Sequence, residues 1–405
     1  MNVASDPKSL AATTPLSPGT SQAAVPATAT GVLTVDLDAI VANWRKLEKA
    51  AVPAECAGVV KANAYGCGAA EVAGALANAG CKTFFVATLD EAAVVRAAVP
   101  PSAAIYVLNG FFQNSGEAYA KIDARPVIGD LNELAEWDVF CRRSRWEGGA
   151  AIHIDTGMNR LGLGVTEAQG LVPRINAGDH GITLVMSHLA SAEQLHSPAN
   201  ARQLAAFREI AALFTNVPAS LSNSSGIFLG PQFQFDLVRP GAALYGVNPT
   251  PEADNPMRPV VELKARIVQI RSVERGDPVG YGGTWTARRP TKLAIISAGY
   301  ADGYFRAAGS NDGSRGGEVV IAGKRCPIAG RISMDLMAID VTDLPNNAAR
   351  RGHMATLIGE GITVDELAHH YGTIGYEVLT SLGRRYVRTY KGGAAEAATE
   401  PVAAP

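Results

Sequence analysis

Residues 57–87 read AGVVKANAYGCGAAEVAGALANAGCKTFFVA. Two short runs rich in β-branched and aromatic residues, AGVVK (57–61) and TFFVA (83–87), flank AAEVAGALANAG (69–80), whose apolar positions recur at three and four. Strand, helix, strand in that order is a βαβ unit, the building block of a parallel sheet. The first run closes on Lys61. A buried amine tends to lose its proton, and a neutral amine attacks carbonyl compounds, so one reading of Lys61 is a Schiff-base lysine. The other is a strand-end lysine reaching back to water, which these residues alone favour.

The pattern repeats outward. Strand-like runs follow at AIYVL (104–108), RPVI (125–128), AIHID (151–155), ITLVMSH (182–188), ASLS (219–222) and FDLVR (235–239). Helical patterns lie between them, as in LDEAAVVRAAV (89–99), LNELAEWDVFCRR (131–143) and ANARQLAAFREIAALF (199–214). Eight alternations predict an α/β fold, a (β/α)8 barrel within residues 31–255, with a doubly wound open sheet as the rival. Beyond about residue 256 the runs are strand-like and broken by Gly, Pro and Asp, and a helical pattern returns only at TVDELAHHYG (363–372). Residues 256–395 are therefore expected to form a mostly β domain, set off by the four prolines of NPTPEADNPMRP (248–259).

Residues 1–30, rich in Ala, Thr, Ser and Pro without apolar periodicity, are expected to be a disordered tail and make a poor signal peptide; 396–405 reads as a second loose end. No apolar run reaches the roughly 18 residues of a membrane span. The net charge of −2 leaves no footprint for nucleic acid. The five cysteines, 56, 67, 81, 141 and 326, are scattered without a CxxC pair, which favours a reducing cytoplasm over a disulfide framework or a metal site. What remains is a protein acting on a small molecule.

In barrel enzymes the chemistry sits at the carboxyl ends of the strands, and phosphate is often held after strands seven and eight. Lys61 ends the first strand, Arg160 follows the fifth in DTGMNRLG, His188 ends the sixth, SNSSG (222–226) follows the seventh, and Arg239 with PGAALYG (240–246) follows the eighth. Small and hydroxyl-bearing residues suit a phosphate, because amides and the Ser224 hydroxyl can approach it closely. A lysine across the barrel mouth from a phosphate site implies a phosphorylated aldehyde, and pyridoxal phosphate is the obvious one.

VVKANAYGCG (59–68) resembles the cofactor-attachment motif of the alanine racemases, pyridoxal-phosphate enzymes of fold type III. The resemblance continues in the family's order through DTGMNRLGLG, SHLASAE, SNSSG, LVRPGAALYG, GYGGTWTA, AGYADGY and GRISMDLMAIDV, covering about 31–392. It implies a barrel followed by a β domain, and a homodimer whose sites are shared between subunits. In the family a lysine serves one face of the amino acid's α carbon and a tyrosine from the partner serves the other; here they match Lys61 and Tyr281. A histidine and an arginine behind the tyrosine match His188 and Arg239, and that arginine also faces the cofactor's ring nitrogen. Tyr65, Ser224 and Tyr376, with amides near Ser225, Gly241 and Ala242, resemble the phosphate ligands. Arg160 resembles the residue at the phenolic oxygen and substrate carboxylate, Met334 and Asp335 the partner's residues at that carboxylate, and Tyr300 an entrance residue.

Each position has a plainer alternative: a packed strand tyrosine for Tyr281, a satisfied histidine for His188, a rim salt bridge for Arg239, core packing for Met334. Three departures stand out. Cys67 replaces a frequent histidine; His153 stands where many members carry a carbamylated lysine; Arg384 stands where many carry a pocket tyrosine or proline. The last bears on side-chain specificity. The resemblance implies interconversion of L- and D-alanine for peptidoglycan or alanine catabolism. A racemase of another amino acid such as serine or lysine, a decarboxylase of the same architecture and a non-catalytic cofactor carrier are the competing readings.

Overall fold

The computed structural model describes residues 25–178 and 181–393. Eight short strands build the barrel: 55–59, interrupted after Cys56, then Thr83–Val86, Ala104–Val107, Arg125–Ile128, Ala150–His153, Ile182–Met186, Ala219–Ser220 and Leu237–Val238. From the first to the seventh, neighbours pair in parallel and in sequence order. The eighth closes the ring. Leu237 and Val238 pair with Glu55 and Cys56 on one side, while the Asp236 and Arg239 amides donate to the Ala219 and Ser222 carbonyls on the other, at 3.0 and 2.9 Å. Closure removes the sheet edges that an open doubly wound sheet would leave. Strands such as Thr83–Val86 and Ala150–His153 are buried at every residue, which is why they read as unbroken apolar runs.

Local chemistry starts the helices where the sequence places them. Thr88 caps Leu89–Arg96 in a capping box with Glu91. Asp130 caps Leu131–Ser144 by accepting from the Asn132 and Glu133 amides. Leu37–Ala51, capped by Asp36, lays Ile40, Trp44 and Leu47 against the barrel core.

The link after the first strand is unusual. Ala62, Asn63, Ala64 and Tyr65 all have φ between +52° and +54°, a turn of left-handed helix without a glycine among them. Each such residue costs about 1–2 kcal/mol, so surrounding contacts must hold the turn. The Ala64, Gly66 and Gly68 amides donate to the Val60, Ala62 and Asn63 carbonyls, each at 2.9 Å. The Asn63 side chain accepts from the Ala69 amide, stitching the turn to the following helix.

The β domain is organised by one long strand, Val261–Val273, which pairs antiparallel with Thr291–Ile296 and Met354–Ile358. It also pairs with Gly31–Asp36, which in turn lies parallel to Val387–Lys391. Sequence order assigns residues 31–36 to the barrel stretch; their hydrogen bonds place them in the β domain's sheet instead. Their alternating burial fits a strand with two unlike faces rather than a barrel strand buried on both. Of the expected tails, residues 1–24 and 396–405 lie outside the described residues, as do 394 and 395 of the expected β domain. Within 25–30 the Ala29 amide donates to the Pro26 carbonyl at 2.9 Å, and Ala29 is buried with Arg266 donating to its carbonyl at 3.1 Å, so this part of the expected tail lies against the β domain. No helix among the described residues is long and apolar enough to cross a membrane.

Candidate active site

The carboxyl ends of the barrel strands open into a cavity of about 360 Å³. Lys61 and Tyr65 reach it after strand one, His153 and Arg160 from strand five and its loop, and His188 after strand six. Ser224 follows strand seven, Arg239, Gly241 and Ala242 follow strand eight, and Tyr376 comes from the helix Gly375–Ser381. The structure thus brings together the barrel residues expected to bind or react, while Cys67 is buried outside the cavity.

One side of the cavity suits an anion. The Ser224 hydroxyl accepts from the Gly241 and Ala243 amides at 3.0 and 3.2 Å, gathering donors at the start of the short helix Ala242–Tyr245. Tyr65 stacks on Tyr245 at 4.6 Å between ring centres and meets Tyr376 edge-on at 6.5 Å. Burial pushes its hydroxyl up to about 12, so it remains a neutral donor at ordinary pH. The Tyr376 hydroxyl donates to Glu193 at 2.7 Å.

The floor is basic. Arg239 is buried, donating to the Ser220 hydroxyl and, at 2.5 Å, to the Ser187 carbonyl. Among the described residues no carboxylate partners it, so a buried donor to Ser220 and Ser187 replaces the expected alternative of a rim salt bridge. Its guanidinium lies 5.9 Å above the Phe85 ring and 3.5 Å from His188 Nδ1. An arginine can only donate, so His188 accepts through Nδ1 and carries its hydrogen on Nε2. Burial, then the charges of Arg239, Arg160 and Lys61, hold His188 well below its usual range. Burial and the same two arginines push His153 down to about 4. Both imidazoles are therefore neutral at pH 7. Burial, followed by the Arg160 charge, lowers the Lys61 amine, while Glu91 raises it. Asp155, whose carboxylate accepts from the amides of Gly157, Met158 and Asn159, shapes the turn that carries Arg160.

The β-domain residues are elsewhere. Tyr281 (68% exposed), Tyr300 (43%) and Met334 (53%) stand on neighbouring loops and do not line this chain's cavity. The Tyr300 and Ala301 amides donate to the Ser333 and Met334 carbonyls at 3.1 and 3.0 Å, and the backbone at Gly280 lies against Arg331. Neither strand packing for Tyr281 nor core packing for Met334 describes them. Asp335 is tied to Arg385 at 2.7 Å. Arg384 is exposed and outside the cavity. Sequence reasoning missed Glu91, Glu193 and Arg385; in Glu91 the T-x-x-E spacing of a capping box was the available signal.

Fold and pocket together define a barrel enzyme built round a lysine at the end of its first strand. The models for the N-terminal and C-terminal domains of alanine racemase match residues 35–249 and 260–390. The chain belongs to the alanine racemase family. It is 53% identical over 358 residues to an alanine racemase of Methylobacterium nodulans, covering 88% of this chain and 95% of that one. The biosynthetic and the catabolic alanine racemases of Agrobacterium fabrum are each 44% identical, covering 88% and 89% of this chain and 93% and 92% of theirs. The crystal structure of alanine racemase from Bartonella henselae with covalently bound pyridoxal phosphate superposes with a TM-score of 0.84 at 42% identity, covering 90% of this chain and 100% of that one.

Proposed function

We propose that this protein interconverts L- and D-alanine with pyridoxal phosphate attached to Lys61, in a site that a second copy of the chain completes. The observation that carries the proposal is the lowered Lys61 amine sharing one cavity with the Ser224, Gly241 and Ala243 anion cradle. When bound, the cofactor supplies the electron sink that makes the α-proton acidic.

The residues fit that group. Tyr65, the Ser224 hydroxyl, Tyr376 and the amides near Ser225, Gly241 and Ala242 would hold the phosphate. Arg239 would face the ring nitrogen; because a guanidinium does not readily give up a proton, it leaves that nitrogen unprotonated. Lys61 would take or return the proton on one face of the α carbon. Tyr281 from the partner would do so on the other, with Met334 and Asp335 beside the substrate carboxylate and Tyr300 at the entrance. The exposed Tyr281, Tyr300 and Met334 support this reading, because large unpartnered apolar groups on one patch mark an interface. A tyrosine base needs its phenolate stabilised, and the Nε2–H of His188, held in place through Arg239, is suited to donate to it. Neutral His153 cannot replace the negative charge of a carbamylated lysine. In its place the Asp155-held turn fixes the backbone from which Arg160 extends.

Proton NMR in deuterated water with L-alanine tests the proposal. Loss of the α-proton signal with growth of deuterated D-alanine is expected for the wild type, and neither for Lys61→Ala. Tyr281→Phe should cut the rate by more than a hundredfold while cofactor attachment persists. Exchange on serine or lysine but not alanine would move the substrate, and no exchange on any amino acid would overturn the proposal. Sedimentation of an active monomer would overturn the shared site. The free thiols fit a cytoplasmic setting. The physiological role is read as D-alanine supply for peptidoglycan or alanine catabolism, and D-alanine dependence of a deletion strain separates the two.

A further inference from the structure

The amine of Lys61 is no better placed than the backbone that carries it, and that backbone runs directly into the left-handed turn 62–65. The first amide of the turn, at Ala62, donates to a side chain: Oε1 of Glu91 accepts it at 2.7 Å. The other oxygen of the same carboxylate accepts the Ala87 amide at 2.8 Å and the Thr88 amide at 3.4 Å. Glu91 therefore spans two barrel loops, the one after strand one and the one after strand two. It does not line the cavity, so it acts on Lys61 from outside it.

We propose that Glu91 is the positioning residue for Lys61, its carboxylate pinning the first amide of the left-handed turn to the loop after the second barrel strand. This rests on the role of Lys61 given above. Two properties of Glu91 act together. Its length fixes the distance between the loops, and its charge favours the ammonium form of Lys61 against burial and Arg160, with His188 the other titratable group in reach. A helix-capping role alone would need only the Thr88 contact.

The two properties separate by substitution. Glu91→Asp keeps the charge but is one methylene too short for both loops. Glu91→Gln keeps the length and one acceptor oxygen but loses the charge. Thr88→Ala breaks the capping box without touching Ala62 and is the control for helix stability. The full-length chain is freed of cofactor with hydroxylamine, and its folding is checked by circular dichroism. The Lys61 amine is then titrated by competitive acetylation with mass spectrometry, and its capture of pyridoxal phosphate is timed by borohydride trapping and peptide mapping. Glu91→Gln should move the Lys61 titration to lower pH. Glu91→Asp should leave that titration in place and slow capture by roughly tenfold, the scale of loss expected when a reacting group is misplaced by less than an ångström. Thr88→Ala should change neither. Wild-type behaviour in both Glu91 variants, or the same changes in Thr88→Ala, would overturn the inference. Absence of any trapped linkage at Lys61 in the wild type would overturn the assigned role of Lys61 instead, while the acetylation titration would still read the hold of Glu91 on that amine.

Discussion

The hydroxyl of Tyr65 occupies the space that a side chain at position 241 would need. A Cβ on Gly241 would lie 2.4 Å from the Tyr65 oxygen and 3.1 Å from Cζ. A neighbour requires glycine here; no left-handed backbone does, since φ is −125°. Tyr65 cannot swing aside, because Tyr245 is stacked on it and Tyr376 blocks its edge. Gly241→Ala should destabilise the protein by about 1–3 kcal/mol through overpacking. It should also weaken pyridoxal phosphate binding at least tenfold, which urea unfolding and a fluorescence titration would read. Unchanged affinity would remove Tyr65 from the phosphate site.

Ser224 offers a complementary test. Without its hydroxyl, the Gly241 and Ala243 amides lose their acceptor. Ser224→Ala should lower the stability of the cofactor-free chain by about 1–3 kcal/mol, the penalty for buried donors left unpaired. Inorganic phosphate should recover most of the loss, because its oxygens can accept from the same amides, and chloride at equal ionic strength should not. Thermal melts in the two salts distinguish the outcomes.

Acid should weaken the protein through two histidines. The folded pKa values of His153, about 4, and of His188, well below normal, both lie under the ordinary 6.5. Between folded and unfolded values the unfolded chain binds more protons, so stability is full above pH 6.5 and falls as pH drops below it. For His153 the loss ends near pH 4. Each histidine can contribute up to about 1.4 kcal/mol per pH unit. Urea midpoints of the cofactor-free chain at pH 7.5, 6 and 5 should fall accordingly, and the slope should flatten in His153→Asn.

Arg385 bonds Asp302 through Nε and Asp335 through Nη1, each at 2.7 Å. Asp302 also accepts the Gly299 amide at 2.9 Å, so one arginine ties the Tyr300 turn to the Met334–Asp335 loop. The pairs are half in solvent and screened, so Arg385→Ala should change stability little. It should raise KM for alanine three- to tenfold, with kcat within about twofold, because the loops proposed to meet the substrate lose their register rather than their chemistry. Arg385→Lys, able to hold only one aspartate at a time, should fall between. An unchanged KM would argue that these loops do not meet the substrate.

The barrel was legible because burial on both faces leaves a plain mark. TFFVA, AIYVL and RPVI each contain one strand, and TVDELAHHYG contains the predicted helix of the β domain. Gly31–Asp36 was misplaced because strand pairing is non-local; GVLTVD announces a strand but not its partners, which lie more than 200 residues away. The left-handed turn was hidden for a different reason. Ala62, Asn63, Ala64 and Tyr65 carry no glycine signal, and the conformation depends on contacts such as that of Ala62 with Glu91, which only the closed barrel brings together. Most of the site was read from the family resemblance rather than from residue type. Chemistry alone pointed to Lys61 and a phosphate, whereas Tyr281 on an exposed loop has no distinguishing local pattern.

The pairing of Gly31–Asp36 with Val387–Lys391 has a consequence for how the protein is made. The earliest described strand and the latest lie side by side, with the whole barrel looped out between them. On the ribosome the barrel's eight strands have all emerged while this sheet still lacks the strand at 387–391, so Gly31–Asp36 waits with one edge open until those residues have been made. A ribosome stalled before residue 387 would hold a chain whose barrel can close and whose second sheet cannot.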